Sequence, residues 1–395
     1  MRGGEYTLDI AGSAREEERN RMSTFHVELK KTVDDSYEIE VGRSLADRLA
    51  EDLRNGLAGS CRQFALITDS TVEKLYAGPI RDRLLAAGFN GEIFSFPAGE
   101  KSKTRETKAE LEDRMLEAGY RRDCFVLAVG GGVVSDLAGF LAGTYGRGVP
   151  FINYATTLLA AADASVGGKT AVDTPLATNL IGLFNQPEKV YIDIDCWSTL
   201  PAREISSGLA ETVKHACLAD RTFFEYLEEH MDGILANDPA ACEHMARRNC
   251  EIKYRVVMKD ERETGLREVL NLGHTVGRAI ETLSGYRLLH GEAVSIGLAA
   301  ACALSVRMGY MTGDERERVL KLLERAGLPT GIPGYIDREA LVKKLYTDKK
   351  VRNGRLRFVI PKGIGEIVEF RPGVFAEEVS EETAREIILG MEAQA

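Results

Sequence analysis

The sequence lacks the features that are typical of membrane-spanning and nucleic-acid-binding proteins. It has no run of about eighteen apolar residues, so the sequence predicts no membrane span. Residues 1–21 lack the apolar segment of a signal peptide, and we expect them to form a flexible extension. The net charge of −10 at pH 7 argues against nucleic acid or an anionic membrane as a general partner.

Paired cysteines are missing as well. The seven cysteines are scattered, and no two of them have the C-x-x-C spacing. Such a set is typical of reduced thiols in a cytoplasmic protein and not of a disulfide framework. We therefore expect a cytoplasmic protein that acts on small molecules. A negative net charge of the whole chain still permits local basic pockets for a phosphorylated substrate.

The 395 residues suffice for two domains, and the sequence changes character after Leu200 and Pro201. The segments predicted before that point are a hairpin over 22–41, strands at 64–69, 125–129, 150–154 and 189–195, and a helix over 104–119. Beyond it helix follows helix, with a β-like segment at 355–370. The prediction is an α/β domain over 22–200 and a mostly helical domain over 201–395.

Three consecutive glycines follow the predicted strand at 125–129. A helix is expected near Ser135, so Gly130, Gly131 and Gly132 lie at a strand-to-helix turn. Glycines at such a turn let a phosphate approach the backbone N–H groups at the positive end of a helix. The pattern is not the G-x-G-x-x-G of dinucleotide-binding proteins, and tight packing of the helix on the sheet would explain it too.

The stretch NLGHTVGRAIETLSGYRLLHGE contains two of the six histidines. Asn271, His274 and Arg278 have the spacing of one helix face. His290 follows a G-Y break and precedes an apolar helix that is expected to open at Ala293. Two imidazoles on either side of a turn suit a catalytic metal, which takes three protein ligands and keeps one position open. Two histidines that cap helices are the alternative.

Other polar residues are candidates for the same site. Glu211 and Lys214 are spaced i, i+3, and Glu211 is a candidate for an anionic third ligand, although such a pair is more often a solvated helix face. Lys169, after two glycines, offers an ammonium group to a phosphate or a carboxylate. Thr156 and Thr157 follow a predicted strand and offer hydroxyl groups to a ligand.

Taken together, these segments resemble the 3-dehydroquinate synthase family of the sugar phosphate cyclases. The passages that carry the resemblance are, in the family's order, GEKSK, GGGVVSDLAGFLAGTYGRG, TTLLAAADASVGGKTAV, LPAREISSGLAETVKH, KDERETGLREVLNLGHT, LHGEAVSIG and DKK. The resemblance runs from Met22 to about residue 370, and so many spaced motifs in one order make it specific.

The resemblance implies an N-terminal Rossmann-like domain for NAD and a C-terminal, mostly helical domain for a divalent metal, zinc first and cobalt second. It also implies a homodimer. The reaction would convert the phosphorylated sugar acid 3-deoxy-D-arabino-heptulosonate 7-phosphate into 3-dehydroquinate and phosphate, in the shikimate pathway of aromatic amino acid biosynthesis. NAD would act catalytically: a substrate alcohol is oxidised, phosphate is eliminated, and the ketone is reduced again.

The same resemblance implies the roles of individual residues. The metal ligands would be Glu211, His274 and His290, and the catalytic residues Lys214, Glu263, His274 and Asp163. The substrate's phosphate would be bound by Lys169, Asn179, Asn271, Arg278, Lys349 and the partner subunit's Arg147, and its carboxylate by Lys253 and Arg267. The NAD-binding positions would be Asp69, Gly99, Glu100, Lys103, Gly131, Gly132, Asp136, Thr156, Thr157, Thr178 and Thr199.

The chain departs from the family pattern at several positions. Arg278 stands where a histidine is usual, and it keeps a positive charge near the phosphate but does not exchange a proton at neutral pH. Thr178 replaces a lysine that contacts NAD. Ala155, Ala161 and Asp173 replace proline, glutamine and asparagine.

Three other functions stay open at this point. The chain fits a paralogous cyclase for another sugar phosphate, a polyol or glycerol dehydrogenase that uses NAD and a metal, and a dinucleotide sensor without activity. The pair Lys253 and Arg267 favours a substrate with a carboxylate. The presence of three metal ligands and of Lys214 argues against the sensor.

Overall fold

The computed structural model of the protein describes residues 26–347 and 356–394. Lys349 and the extension over 1–21 therefore lie outside the described residues, and the expectations for them stay predictions. Within the described part, residues 26–35 form one unit, which has no helix or strand, and residues 36–394 form the other.

A six-stranded sheet occupies the first half of the larger unit. In spatial order its strands are β1 (Glu38–Gly42), β8 (Lys189–Asp193), β5 (Phe151–Ala155), β4 (Phe125–Gly130), β2 (Gln63–Asp69) and β3 (Asn90–Phe96). Every neighbouring pair is parallel. The central strands β4, β5 and β8 are buried at every position, which explains their nearly continuous apolar sequences.

Twelve α-helices are present in the described part of the chain. Those beside the sheet are α1 (Leu45–Asp52), α2 (Gly78–Ala86), α3 (Arg105–Glu117) and α4 (Gly132–Thr144). Those that follow are α5 (Ala202–Ala219), α6 (Arg221–Leu235), α7 (Pro239–Lys259), α8 (His274–Leu283), α9 (His290–Met308), α10 (Gly313–Arg325), α11 (Arg338–Thr347) and α12 (Glu381–Gly390). The predicted architecture, a parallel α/β part followed by a helical part, is confirmed.

The short strands of the second half form two small sheets. β10 (Arg357–Val359) pairs antiparallel with β11 (Ala376–Glu378), and β9 (Ile332–Pro333) pairs in parallel with β12 (Ala393–Gln394). The β-like segment predicted at 355–370 is thus confirmed only at its start, in β10. Ile332 of β9 and Phe358 of β10 pack with α8, α9, α11 and α12 in one apolar cluster.

The four predicted parallel strands are confirmed, but the predicted hairpin over 22–41 is wrong in its described part. Residues 26–37 contain no strand. β1 is present, yet it pairs in parallel with β8, so that Ile39 lies beside Val190 and Val41 beside Ile192. The apolar edge of β8 supplies a partner distant in sequence, and alternation along one segment does not reveal which partner it takes.

A hairpin that the sequence analysis missed carries several candidate residues. β6 (Lys169–Thr174) and β7 (Ala177–Phe184) pair antiparallel, apart from the main sheet. β6 lies so close to α4 that a Cβ on Gly139 would stand 2.4 Å from Cγ2 of Thr170. The glycine in the middle of α4 is therefore a packing requirement of this hairpin.

Three helices begin earlier or later than the sequence predicts. α4 begins at Gly132 and not near Ser135, because Gly131 is already extended and ends the strand-to-helix turn. α8 begins at His274, so Asn271 belongs to the preceding 3-10 turn and not to the same helix; Gly273, with φ of 78°, interrupts the helical backbone between them. α9 begins at His290 and not at Ala293.

α9 is the one helix in the described residues that is long and apolar enough to cross a membrane by length and composition. Of its apolar window, 72% is buried inside the protein, as in a core helix. Its start is fixed by Glu292, whose carboxylate accepts a hydrogen bond from the backbone N–H of Leu289 at 2.8 Å. This helix end places His290 against α5.

Candidate active site

Three side chains from the helical part converge on one point. Glu211 lies in α5, and His274 and His290 are the first residues of α8 and α9. Oε1 of Glu211 is 3.3 Å from Nε2 of His290 and 3.5 Å from Nε2 of His274. One donor atom from each residue lies within 4.8 Å of the other two. The structure thus brings together the three residues that were candidates for metal ligands.

The spacing of these donors fits a divalent metal. Ligand atoms about 2.0–2.1 Å from a tetrahedral zinc lie about 3.3–3.4 Å from one another. Glu211 keeps nearly that distance from both imidazoles. Two nitrogens and one carboxylate oxygen are also the donor set of several catalytic zinc sites, which leave a fourth position for substrate or water. The residues therefore fit a catalytic metal in both geometry and donor chemistry.

The second nitrogen of each imidazole has its own partner. Nδ1 of His274 is 3.2 Å from the carbonyl oxygen of Leu272, and Nδ1 of His290 is 3.5 Å from Oε1 of Glu281. Partners of this kind orient the ring and leave Nε2 to bind the metal. Glu281 is absent from the predicted site residues, although it ends the same GHTVGRAIE motif.

The surroundings shift the pKa values of the two histidines in opposite directions. Burial lowers the pKa of His274 well below its ordinary value, against the attraction of Glu211. Burial also acts to lower the pKa of His290, but the contacts with Glu211 and Glu281 outweigh it and raise this pKa to about 10. Burial acts to raise the pKa of Glu211, and Lys214 and the imidazoles reverse this and lower it. Glu211 is therefore an anion.

Lys214 belongs to the same cluster. Its ammonium group contacts Glu211 and donates a hydrogen bond to the carbonyl oxygen of Leu270 at 2.9 Å. The side chain of Lys214 is 1% exposed and that of Glu211 is fully buried. The alternative of a solvated Glu–Lys helix face is therefore wrong. An ammonium group held in this way is available to an oxygen atom of a ligand bound beside Glu211.

A second group of side chains shares Glu211 with the first. A ring nitrogen of His215 and carboxylate oxygens of Asp163 and Glu211 lie within 4.8 Å of one another. Nδ1 of His215 is 2.5 Å from Oδ1 of Asn249, whereas Nε2 is buried and has no hydrogen-bond partner among the described residues. Burial lowers the pKa of His215 to about 4, so its ring is neutral. Sequence reasoning missed His215; its one signal was that it directly follows Lys214.

Cationic side chains surround Asp163. Nζ of Lys253 is 2.7 Å from Oδ1 of Asp163. Arg267 is 1% exposed, and its Nη2 donates to the carbonyl oxygen of Gly167 at 2.8 Å. Its Nε is buried without a hydrogen-bond partner in the described part of the chain. A buried guanidinium group with an unused N–H fits an anionic group of a ligand.

Four further candidates form a continuous chain of polar contacts. Nζ of Lys169 pairs with Oε2 of Glu263. Nδ2 of Asn271 donates to Oε1 of Glu263 at 2.6 Å, and Nη2 of Arg278 is 3.4 Å from Oδ1 of Asn271. Three residues expected around the substrate's phosphate thus lie together, although Asn271 and Arg278 do not share a helix.

Two further candidates for the phosphate lie apart from this chain of contacts in the described structure. Asn179 is exposed in β7 with φ of 54°, and its backbone N–H donates to Oδ1 of Asp173 at 2.8 Å. Arg147 is exposed at the end of the 3-10 turn after α4, with φ of 74°. The side-chain roles expected for both stay predictions.

Most candidates for NAD binding stand at the carboxyl ends of neighbouring strands. The chain leads from β2 outward to β3 and then back to β4 on the other side of β2. In open α/β sheets, ligands bind at such a switch point, outside the carboxyl ends of the strands. The candidates that end or follow β2 to β5 are Asp69, Gly99, Glu100, Gly131, Gly132, Thr156 and Thr157.

The turn after β4 leaves little room for a side chain at the start of α4. A Cβ on Gly131 would lie 3.0 Å from Cγ2 of Thr157, so a side chain here would crowd Thr157 after β5. The N–H groups of such a turn suit an anion. Oγ1 of Thr156 is buried without a hydrogen-bond partner among the described residues, which fits a ligand contact. Asp69, in contrast, already accepts hydrogen bonds from two backbone N–H groups of the turn after β2.

Lys103 is enclosed by carboxylates. Its Nζ is 2.6 Å from Oε1 of Glu100, 3.5 Å from Oδ2 of Asp136 and 3.8 Å from Oδ2 of Asp173. Burial raises the pKa of Asp136 to about 7, against the attraction of Lys103. Burial acts to raise the pKa of Glu100, and the attraction of Lys103 outweighs it and lowers this pKa.

The last two candidates for NAD binding lie at the margin of this region. Thr178 is half-buried in β7. Thr199 is exposed, and its hydroxyl group is 2.7 Å from that of Tyr76. Neither side chain carries a charge for a pyrophosphate.

Two family models match adjacent parts of the chain. The model described as 3-dehydroquinate synthase N-terminal matches residues 93–207, and the one described as 3-dehydroquinate synthase C-terminal matches residues 208–351. The 3-dehydroquinate synthase of Pelobacter propionicus is 45% identical over 349 residues, which are 88% of this chain and 95% of that protein. The one of Desulforamulus reducens is 43% identical over 351 residues, 89% and 96% of the two chains.

The chain belongs to the 3-dehydroquinate synthase family. Solved structures of related cyclases have the same fold as this family member. A 2-epi-5-epi-valiolone synthase from Streptomyces hygroscopicus, with NAD+ and Zn2+ bound, is 29% identical with a TM-score of 0.82, over 92% of this chain and 98% of that one. A 2-deoxy-scyllo-inosose synthase complexed with carbaglucose-6-phosphate, NAD+ and Co2+ is 25% identical with a TM-score of 0.82, over 90% and 96%.

Dehydrogenases share the fold of the 3-dehydroquinate synthase family more distantly. Glycerol dehydrogenase from Schizosaccharomyces pombe is 15% identical with a TM-score of 0.61, over 92% of this chain and 91% of that one. That likeness concerns the fold alone. The expectation that the chain resembles the 3-dehydroquinate synthase family is thus confirmed.

Proposed function

We propose that the protein is a 3-dehydroquinate synthase. It converts 3-deoxy-D-arabino-heptulosonate 7-phosphate into 3-dehydroquinate and phosphate, with NAD used catalytically and a divalent metal, in the shikimate pathway. The observation that carries the proposal is the convergence of Glu211, His274 and His290 beside the buried Lys214, at the spacing of metal ligands. The chain is also 43–45% identical to two proteins named 3-dehydroquinate synthase, which supports the same conclusion.

The two cofactors supply acidity and a hydride acceptor: a metal lowers the pKa of an alcohol bound to it, and NAD accepts the hydride. Glu211, His274 and His290 would hold the metal, with zinc as the first choice and cobalt as the second. Lys214, fixed by Glu211 and the carbonyl oxygen of Leu270, supports the oxygen on the oxidised carbon. Its ammonium group stabilises negative charge there in a buried, low-dielectric position.

The substrate's carboxylate is assigned to Lys253 and Arg267, and one of its hydroxyl groups to Asp163. The unused Nε of Arg267 supports this assignment, since a carboxylate would complete its hydrogen bonds. Glu263 is assigned as a proton acceptor.

The phosphate group is assigned to a basic pocket at the other end of the substrate. Its residues would be Lys169, Asn179, Asn271, Arg278, Lys349 and the partner subunit's Arg147. The exposure of Arg147 is compatible with a homodimer, which is part of the proposal. Arg278 replaces the family's usual histidine in this pocket, and it stays positively charged because it keeps its proton at neutral pH.

NAD is assigned to the switch point of the sheet. Its residues would be Asp69, Gly99, Glu100, Lys103, Gly131, Gly132, Asp136, Thr156, Thr157, Thr178 and Thr199. The division into an NAD domain over 22–200 and a metal domain over 201–395 belongs to the same proposal. So does a cytoplasmic location, which the free cysteines of the described chain support.

The test is turnover of the heptulosonate phosphate by protein loaded with NAD and zinc. We expect stoichiometric release of phosphate and formation of dehydroquinate, without net accumulation of NADH. The His274→Ala variant serves as the inactive control. Absence of phosphate release by fully loaded wild-type protein would overturn the proposal.

A paralogous cyclase is the second candidate, because Arg278 replaces a family histidine beside the proposed phosphate pocket. The structural likeness to cyclases for other sugar phosphates favours testing it. A panel of seven-carbon and six-carbon sugar phosphates separates the two candidates. Accumulation of NADH from glycerol or another polyol would instead identify a dehydrogenase.

A further inference from the structure

We propose that the carboxylate of Glu263 is the resident anion of the phosphate pocket, displaced when the substrate's phosphate group enters. Glu263 is then a specificity-determining residue, since it sets how much negative charge a ligand must bring to bind. This inference rests on the proposed function, because it takes Lys169, Asn271 and Arg278 as the phosphate-binding residues.

The contacts of Glu263 carry the inference. Its two carboxylate oxygens are used by two different phosphate-binding candidates: Oε2 pairs with Lys169, and Oε1 accepts from Asn271 at 2.6 Å. The side-chain oxygen of Asn271 in turn faces Arg278 at 3.4 Å. The carboxylate thus occupies a position between groups that a phosphate would need.

The charges around Glu263 favour an anion of higher charge. Besides Lys169, the guanidinium groups of Arg267 and Arg278 act on this carboxylate or are acted on by it. Burial lowers the pKa of Arg278, and Glu263 opposes this more than any other neighbouring group. The single negative charge of Glu263 therefore faces several positive charges. A phosphate dianion brings one more charge and more acceptor oxygens, whereas a monoanion offers no more than Glu263 already does.

The backbone restricts how Glu263 can leave. Its φ is 58°, a left-handed conformation that is uncommon outside glycine. The carboxylate of Asp260 holds this turn, since it accepts hydrogen bonds from the backbone N–H groups of Thr264, Gly265 and Arg267 at 2.8–2.9 Å. The side chain of Glu263 is 28% exposed. It can therefore rotate toward solvent about its own torsions while the turn stays in place, and the freed carboxylate is then available to accept a proton.

The test is the affinity of the NAD- and zinc-loaded enzyme for inorganic phosphate, measured by calorimetry. We expect phosphate to bind at least about tenfold more tightly to Glu263→Gln and Glu263→Ala than to the wild type, because the competing charge is gone. Glu261→Gln is the matched control: it removes the same charge from the same turn, but Glu261 contacts Gln186 at 2.9 Å and lies outside the chain of contacts with Lys169. Its phosphate affinity should equal that of the wild type.

A second readout is the pH profile of phosphate binding. As phosphate loses its second proton, affinity should rise more steeply for the wild type than for Glu263→Gln, since only the wild type has a carboxylate to displace. Suppose that the wild type forms dehydroquinate, but both Glu263 variants bind phosphate no more tightly than the wild type. That result would overturn the displacement of Glu263 and leave the proposed function intact. Undetectable phosphate binding by the wild type and both variants would instead remove the phosphate pocket, and the proposed function with it.

Discussion

Glu281 should tune the metal affinity of the site without touching the metal. Its carboxylate faces Nδ1 of His290 at 3.5 Å, and carboxylates in this position typically strengthen metal binding 10- to 100-fold. The contact is longer than an ordinary charge-assisted hydrogen bond, so we expect the low end of that range for Glu281→Ala: about tenfold weaker zinc binding, or about 1.4 kcal/mol. Glu281→Gln keeps an acceptor but loses the charge, and it should fall between the wild type and Glu281→Ala.

The assay is competition for zinc with a chromophoric chelator at fixed pH. Glu317→Ala in α10 is the matched control, because it removes an exposed carboxylate whose partner is Lys321. Its zinc affinity should equal that of the wild type. If Glu281→Ala also binds zinc like the wild type, Glu281 does not orient His290, and the reasoning from its position is refuted.

Three further predictions follow from particular contacts. His274→Ala should lose bound zinc and turnover, since two remaining ligands do not hold a catalytic metal; full zinc occupancy by elemental analysis would contradict the ligand assignment. Arg278→His should be tolerated or improve turnover, because histidine is the family's usual residue, and a collapse of kcat would show a dedicated role for arginine. Asp260→Ala should lower the free energy of unfolding by about 2–3 kcal/mol, because it leaves backbone donors of the turn unpaired. Backbone hydrogen bonds outweigh burial and lower the pKa of Asp260 to about 2 from an ordinary 3.8, so this stabilisation should be complete above pH 4 and shrink as pH falls toward 2 in chemical denaturation; a difference independent of pH would contradict it.

The parallel strands could be predicted because their signal is local. A strand buried on both faces needs an apolar residue at nearly every position, as in the segment that forms β4. The partner of a strand is not a local property. The alternation in the segment around Ile39 fits a hairpin as well as a parallel edge, and only the position of β8 decides between them.

The metal ligands could be proposed because their residue types are rare and chemically specific. The precise starts of α8 and α9 could not, since they depend on the conformation of Gly273 and on the capping by Glu292. The contacts that orient the metal ligands could not be predicted from the sequence either. Burial of the ring nitrogen of His215 depends on how α5 packs, and spacing along one helix does not report it.

The central claim is that Glu211, His274 and His290 hold one divalent cation beside Lys214. Anomalous diffraction at the zinc edge from crystals grown with zinc and NAD tests it most directly. We predict a single strong peak about 2.0–2.2 Å from Nε2 of both histidines and from a carboxylate oxygen of Glu211. A peak elsewhere, or three side chains without a peak between them in zinc-saturated crystals, would contradict the account.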